Sequence, residues 1–217
     1  MDDVRFTRAT LVRMLAALGG PTVIEAEDGR VALDHLKALG RRADCVISDL
    51  DMPHVDGIDL LQAIRVGTGA IPHTLPVVVL TGHTEFERLG PALLLDLDAF
   101  LTKPVSKASL ERCLGALLAG PPEAQERRIA PADTYRAIDL SGGIVAADAP
   151  ESGSTTMAER QVALAQVEDG AVLSRDLVFS NGRLLLPART RLSARIAQRL
   201  NEIAAVSNLA KDVWVAG

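Results

Sequence analysis

Short apolar runs alternate with helical repeats in the first half of this chain. Each apolar run ends at a turn or a polar residue, which is typical of buried strands. We predict strands over 22–24, 45–47, 77–80 and 99–101, and helices over 6–18, 29–39, 58–67, 85–95 and 106–117. Strands and helices that alternate in this way form a parallel sheet with helices on both faces, so the sequence predicts a doubly wound α/β fold.

The pattern changes after Ala119. Glycine, proline and charged residues follow, and we therefore predict that residues 120–159 form a linker between a first domain over 1–119 and a second over 160–217. The second domain is expected to be a smaller, β-rich α+β unit. In it, Asn181-Gly182 separates two apolar runs and suits a type I′ hairpin turn. A helix capped by Ser193 and a short strand over 213–215 complete the prediction.

Composition restricts the class of protein. The 217 residues are 48% apolar and 24% charged, which is ordinary for a globular protein. The net charge of −5 argues against a nucleic acid held mainly by charge. No apolar run reaches the roughly 18 residues of a membrane span, and the N-terminus lacks the pattern of a signal peptide. We therefore expect a cytoplasmic protein with no membrane partner.

A polar side chain ends each of three predicted strands: the carboxylate of Asp49, the hydroxyl of Thr81 and the ammonium of Lys103. Because the carboxyl ends of parallel strands meet at one edge of a sheet, we expect these groups to lie together. Such a set suits phosphoryl transfer to a carboxylate. The aspartate attacks phosphorus, a hard divalent cation offsets negative charge, and the lysine and the hydroxyl hold the phosphoryl oxygens.

Four motifs give the chain its resemblance to a known family. They are Asp49 with Met52-Pro53 and Asp56-Gly57, then Glu27-Asp28-Gly29-Arg30-Val31-Ala32-Leu33, Val79-Leu80-Thr81-Gly82, and Phe100-Leu101-Thr102-Lys103-Pro104. Together these motifs make residues 2–118 similar to the receiver domain of two-component response regulators. The resemblance implies a flavodoxin-like fold.

The resemblance also implies roles for individual residues. Asp49 would accept a phosphoryl group from a histidine kinase or a phosphotransfer protein, and Thr81 and Phe100 would move once it is phosphorylated. Asp2 and Asp3 would hold Mg²⁺ together with Asp49, and Asp51 would offer its backbone carbonyl to the metal. The segment 85–100 would form the face that receivers use to dimerise or to bind a downstream protein partner.

The chain departs from the family at its start. Receiver domains have four or five apolar residues before the acidic pair, and these form the first strand, inside the sheet. Here only Met1 precedes Asp2. The start is misassigned or truncated, or the fold has lost an interior strand, or a partner chain supplies one. A gap would leave backbone groups of both neighbouring strands unpaired, and it would loosen Asp2 and Asp3.

The second half carries a weaker resemblance. Residues 167–200 look like a small β-rich module found beside phosphohydrolase domains that cleave cyclic di-guanylate, although the His-Asp and Gly-Tyr-Pro signatures of those hydrolases are absent. Residues 120–217 also lack a helix-turn-helix pattern. Five arginines fall in a stretch without acidic residues, which indicates a solvated face or an anionic partner. We therefore expect an interaction module that does not bind DNA.

Three functions are compatible with the sequence. The first is a signalling switch phosphorylated on Asp49, which is not an enzyme, and the second is a receiver-shaped binding scaffold that is never phosphorylated. The third is a phosphatase of the haloacid-dehalogenase type, because Asp49-Leu50-Asp51 follows an apolar strand. That family places threonine or valine where Pro53 stands here, and it needs an acidic pair soon after the lysine strand. We rank the enzyme last.

Overall fold

The computed structural model describes residues 1–19, 22–82, 85–119, 130–136, 138 and 159–217. These residues divide into two compact units. Unit 1 comprises Met1–Gly82 and Leu97–Arg136, and unit 2 comprises His83–Asp96 and Ala137–Gly217. Among the described residues, no helix combines the length and the apolar character that crossing a bilayer requires.

Unit 1 is built on a parallel sheet in the order β1-β2-β3. Its strands are β1 (Val46–Asp49), β2 (Val77–Thr81) and β3 (Ala99–Thr102), and its helices are α1 (Arg5–Ala16), α2 (Gly29–Leu39), α3 (Gly57–Arg65), α5 (Lys107–Leu118) and α6 (Ala132–Arg136). The helix between β2 and β3, α4 (Leu89–Leu94), belongs to unit 2. The parallel sheet and its helices confirm the predicted α/β class.

Helices cover both faces of this sheet because the side chains of a strand alternate between faces. On one face, Val78 and Leu80 of β2 form a buried cluster with Leu11 of α1 and Leu110 of α5. Val77 and Val79 point to the opposite face and are fully buried as well. A strand buried on both sides reads as one continuous apolar run, which is why the sequence revealed it.

One predicted strand of unit 1 is not present. Residues 22–26 form no strand, although 22–24 was predicted to be one. A β-strand requires backbone hydrogen bonds to a neighbouring strand, and an apolar sequence alone does not provide that neighbouring strand. Helix α6 lies within residues 120–159, and its Tyr135 is buried. The linker over these residues stays a prediction. Most of the remaining linker lies outside the described residues.

In unit 2, the predicted helix over 85–95 is divided. A 3₁₀ turn over Phe86–Arg88 precedes the short helix α4 (Leu89–Leu94). Pro91 has no amide hydrogen, so it is tolerated only in the first turn of an α-helix, which places the start of α4 at Leu89.

The C-terminal part of unit 2 combines short antiparallel strand pairs with one long helix. The pairs are β4 (Glu159–Ala163) with β9 (Asp212–Ala216), β5 (Ala171–Val172) with β8 (Arg191–Leu192), and β6 (Leu177–Val178) with β7 (Leu184–Leu186). The helix α7 (Ala194–Val206) begins after Ser193, whose hydroxyl accepts a hydrogen bond from the Ile196 amide. The predicted cap is therefore present.

The β6–β7 hairpin forms at Asn181-Gly182, but its turn is not of type I′. A type I′ turn needs positive φ at both central residues, whereas Gly182 has a φ of 80° and Asn181 is not among the residues with positive φ. The Phe179 amide instead donates to Arg183, and the Gly182 amide donates back to Phe179. The loop is therefore longer than the two-residue turn predicted from the dipeptide.

Candidate functional site

Asp49 is the last residue of β1, and its carboxylate is buried at the carboxyl end of the sheet. Its neighbour in β2 is Leu80, one position before Thr81. The Lys103 amide donates to the Thr81 carbonyl at 2.8 Å, which extends the ladder between β2 and β3. The Lys103 amine then reaches Asp49 Oδ2 at 2.5 Å. The expected convergence of Asp49 and Lys103 is therefore present.

Thr81 is fully buried at the same end of the sheet. Its hydroxyl donates to the carbonyl of Gly82 at 3.2 Å. The predicted switch residue Phe100 lies on β3, where it is half-buried and pairs in register with Val79. Thr81 is therefore the last residue of β2, and Phe100 lies on β3, the strand that leads to Lys103.

The acidic residues at the N-terminus join this site. Ligand oxygens of Asp2, Asp3 and Asp49 all lie within 4.8 Å of one another. Asp2 is fully buried, its Oδ1 accepts a hydrogen bond from the Val4 amide at 2.9 Å, and its Oδ2 lies 3.9 Å from the Lys103 amine. Burial raises the pKa of Asp2 above its usual value, and the Val4 amide acts in the opposite direction.

Two oxygens of this cluster lack a hydrogen-bond partner although they are buried: Asp2 Oδ2 and Asp49 Oδ1. Buried carboxylate oxygens that no protein group satisfies are costly unless a cation binds them. Hard oxygen ligands of this kind are those that Mg²⁺ prefers. The donor set therefore fits the magnesium ion implied by the sequence resemblance.

Asp2 is held by a feature that the sequence did not reveal. The Met1 nitrogen donates to the carbonyl of Ile47 at 2.6 Å, and the Asp49 amide donates to the carbonyl of Met1 at 3.1 Å. This is the hydrogen-bond pattern of one residue in a parallel ladder, with Met1 opposite Ser48. Met1 therefore acts as a single residue of strand beside β1, and this pairing brings Asp2 next to Asp49.

The loop after Asp49 is fixed by a glycine. A Cβ atom on Gly57 would collide with the carbonyl oxygen of Asp49, so α3 can start this close to β1 only with glycine at its first position. The Asp56 carboxylate caps α3 by accepting from the Ile58 and Asp59 amides. Asp51 lies in this loop with its side chain exposed. A metal-binding role for its backbone carbonyl stays a prediction.

A second aspartate faces the same loop. Asp28 caps α2 by accepting from the Val31 amide at 2.8 Å, and its other oxygen lies 3.1 Å from Nδ1 of His54. The hydrogen bond from the Val31 amide lowers the pKa of Asp28. Burial acts in the opposite direction, and His54 lowers the pKa further. Capping by Asp28 fits the motif read from the sequence, whereas the contact with His54 was not predicted.

Residues 1–114 match the family model described as response regulator receiver domain. The chain is 28% identical over 192 residues to the response regulator MprA of Mycobacterium avium, with 88% of this chain and 75% of that protein covered. It is 33% identical over 114 residues to the chemotaxis protein CheY-3 of Vibrio cholerae, and this match covers 52% of this chain and 85% of that protein. A solved signal receiver domain of a histidine kinase from Syntrophus aciditrophicus is 30% identical at a TM-score of 0.49, with 56% of this chain and 89% of that chain covered.

Proposed function

Because this chain belongs to the response regulator receiver family, we propose that it works in two-component signalling by accepting a phosphoryl group on Asp49 with Mg²⁺ bound beside it. The donor is a histidine kinase or a phosphotransfer protein. The observation that carries this proposal is the contact of the Lys103 amine with Asp49 Oδ2, while Asp49 Oδ1 has no hydrogen-bond partner. Lys103 therefore holds one oxygen of the acceptor carboxylate, and no protein group donates a hydrogen bond to the other.

The chemistry follows from these two oxygens. A carboxylate oxygen of Asp49 forms the new bond to phosphorus, and the bond from phosphorus to the donor imidazole nitrogen breaks, so that nitrogen keeps the electron pair. Lys103 offsets the negative charge that two anionic groups bring together. Bound Mg²⁺, held by Asp2, Asp3 and Asp49, would supply further positive charge at the phosphoryl oxygens.

The output is proposed to pass through unit 2, with Thr81 and Phe100 as the residues that respond to phosphorylation. Thr81 leads into the segment 85–96, which belongs to the same unit as the C-terminal residues. Within that unit, Glu87 accepts hydrogen bonds from Asn181 and Arg183. A change in the segment would therefore act on the β6–β7 hairpin through Glu87.

The C-terminal residues are proposed to bind a protein partner or a second copy of the chain rather than DNA. We infer that they form an interaction module similar to those beside cyclic di-guanylate phosphohydrolase domains. Supporting features are the β6–β7 hairpin and the exposed arginines of its loop and of β8. An apolar residue of the hairpin, Val178, is also exposed.

A receiver-shaped scaffold that is never phosphorylated is the second candidate. The observation that favours it is that residues 22–26 form no strand. If the acidic cluster binds Mg²⁺ too weakly, Asp49 stays unphosphorylated and the chain acts only through its shape.

Labelling with acetyl phosphate or phosphoramidate in the presence of Mg²⁺, read by intact mass, tests the proposal. We expect one phosphoryl adduct on the folded chain, lost in Asp49→Asn and retained in the control Asp34→Asn, whose carboxylate is exposed on α2. No adduct on a folded chain would support the scaffold. Continuous release of phosphate from simple phosphate esters would instead indicate a phosphatase.

A further inference from the structure

A cavity of about 240 Å³ lies in the C-terminal part of unit 2, between β9 and the segment 173–178. Its apolar wall is formed by Leu173, Leu177 and Val213, each at most 5% exposed. Sites for small molecules usually enclose about 300–1,000 Å³. A smaller cavity with an apolar wall therefore suits one long side chain of a protein better than a metabolite.

Trp214 of β9 forms one side of this cavity. It is half-buried, and its cross-strand neighbour Gln161 of β4 also lines the cavity. The Arg175 guanidinium lies over the indole, 4.1 Å from the ring centroid. Arg175 Nε donates to Glu159 Oε2 at 3.0 Å, and its Nη2 donates to the same oxygen at 2.6 Å. The positive charge of Arg175 is therefore balanced by Glu159.

Two carboxylates, those of Asp176 and Asp212, line the same cavity. Asp176 Oδ1 accepts a hydrogen bond from the Ala188 amide at 2.7 Å. Within the part of the chain that the structure describes, neither carboxylate forms an ion pair. Arg175 is the one cationic side chain among the described residues that line the cavity, and Glu159 balances it. An anionic group would therefore meet two like charges here, whereas a cationic group would meet two opposite charges.

The β6–β7 hairpin adds exposed apolar surface next to the cavity. Val178 lines the cavity and is 40% exposed, and its cross-strand partner Leu184 is 42% exposed. Cross-strand partners lie on the same face of a ribbon, so these two side chains extend the apolar surface beyond the cavity. Exposed apolar residues bordered by polar ones are typical of protein interaction sites.

We propose that this cavity binds an arginine or lysine side chain of a protein partner. The aliphatic part of that side chain packs against Leu177 and Trp214, and its charged end lies near Asp176 and Asp212. An apolar residue beside it in the partner contacts Val178. This inference rests on the proposed role of the C-terminal residues as an interaction module, and it names the side chain that the module recognises.

Trp214 is the only tryptophan of the chain, so the NMR signal of its indole N–H reports on this cavity. The full chain is titrated at millimolar concentration with a capped tripeptide of leucine, arginine and leucine. Two further peptides carry citrulline or glutamate in place of the arginine, because citrulline has nearly the shape of arginine without its charge. The titration needs no phosphoryl donor, so this test and the labelling of Asp49 fail independently.

We expect the arginine peptide to shift the indole signal and to bind at least about tenfold more tightly than the citrulline peptide. Asp212→Asn should remove most of this difference. Glu168→Gln should keep it, because Glu168 is an exposed carboxylate of the same unit that does not line the cavity. The melting temperature of each variant shows that it is folded.

Equal binding of the arginine and citrulline peptides to the unmodified chain would overturn the proposal. Tighter binding of the glutamate peptide would also overturn it, and so would an indole signal that no peptide shifts. A folded Asp212→Asn variant that keeps the full preference for arginine would show that the charge of this cavity does not select the partner.

Discussion

The amine of Lys103 lies 2.5 Å from Oδ2 of Asp49, although 54 positions separate the two residues in the sequence. The Asp49 side chain is 5% exposed and the Lys103 side chain 30%, so the pair is only partly shielded from water. Lys103 therefore supplies a positive charge next to Asp49, the proposed phosphoryl acceptor. Its removal should therefore affect phosphorylation directly.

Replacement of Lys103 by methionine should slow labelling of Asp49 by acetyl phosphate about 100-fold, the usual effect of losing one group that stabilises developing charge. Lys103→Arg is the matched control, because it keeps the positive charge and should retain a measurable part of the rate. Both rates are read by intact mass at a fixed Mg²⁺ concentration. Labelling of the methionine variant at the wild-type rate would contradict the role given to Lys103.

Magnesium should stabilise the chain through the acidic cluster. At a free concentration about ten times the dissociation constant, a ligand that binds only the folded state adds about 1.4 kcal/mol to the free energy of unfolding. We expect the melting temperature to rise with MgCl₂, and Asp2→Asn to remove the rise because one buried oxygen ligand is lost.

Asp34→Asn is the control for the magnesium prediction, because its carboxylate is exposed on α2 and pairs with Lys37. The control should keep the full response to MgCl₂. If both variants respond like the wild type, the cluster of Asp2, Asp3 and Asp49 does not bind the metal.

A buried ion pair should dominate the stability of unit 1. Arg65 Nη2 donates to Asp98 Oδ2 at 2.6 Å, and the Val77 amide donates to the same oxygen at 2.8 Å. Asp98→Ala leaves a buried guanidinium without its carboxylate and should lower the free energy of unfolding by about 3–5 kcal/mol. Urea denaturation measures this loss.

Two further variants separate charge from hydrogen bonding in this pair. Asp98→Asn keeps an acceptor for the Val77 amide and should lose less stability than Asp98→Ala. Arg65→Met combined with Asp98→Leu removes both charges and should recover part of the loss. A loss below about 1 kcal/mol for Asp98→Ala would show that the pair is not a major source of stability.

Glu87 should couple to Arg183 within unit 2. Arg183 Nη1 donates to Glu87 Oε2, and Asn181 Nδ2 donates to Glu87 Oε1 at 3.0 Å. The Arg183 side chain is 67% exposed, so a double-mutant cycle of Glu87→Ala and Arg183→Ala should give a coupling of only about 0.5–1 kcal/mol that falls with added salt. Arg189→Ala, in the loop after β7, should show no coupling to Glu87.

Stability at low pH should depend on Asp28. The Val31 amide donates to its carboxylate and lowers the pKa of Asp28 below its usual value, so the folded state favours the charged form. The stability that this provides is present above that value and is lost as the pH falls through the lower pKa of the folded state. The urea midpoint, measured from about pH 6 to about pH 2, should therefore fall less steeply in Asp28→Asn, which keeps a capping oxygen but has no charge to titrate.

By itself, the sequence determined the three strands of the parallel sheet and the polar groups at their ends. Local pattern was sufficient there, because strands buried on both faces are continuous apolar runs and parallel strands end at one edge. That is why the meeting of Asp49 and Lys103 was predictable. The Ser193 cap was also predictable, because capping depends on residues only three positions apart.

Only the tertiary structure decided the features that need a distant partner. Residues 22–26 have a strand-like sequence but form no strand, because a backbone ladder requires a neighbour that no local pattern provides. The pairing of Met1 with β1, the ion pair of Arg65 and Asp98, and the bonds of Glu87 to the hairpin join residues far apart in the chain. Such contacts depend on how the elements pack, and hydrophobic periodicity carries no information about them.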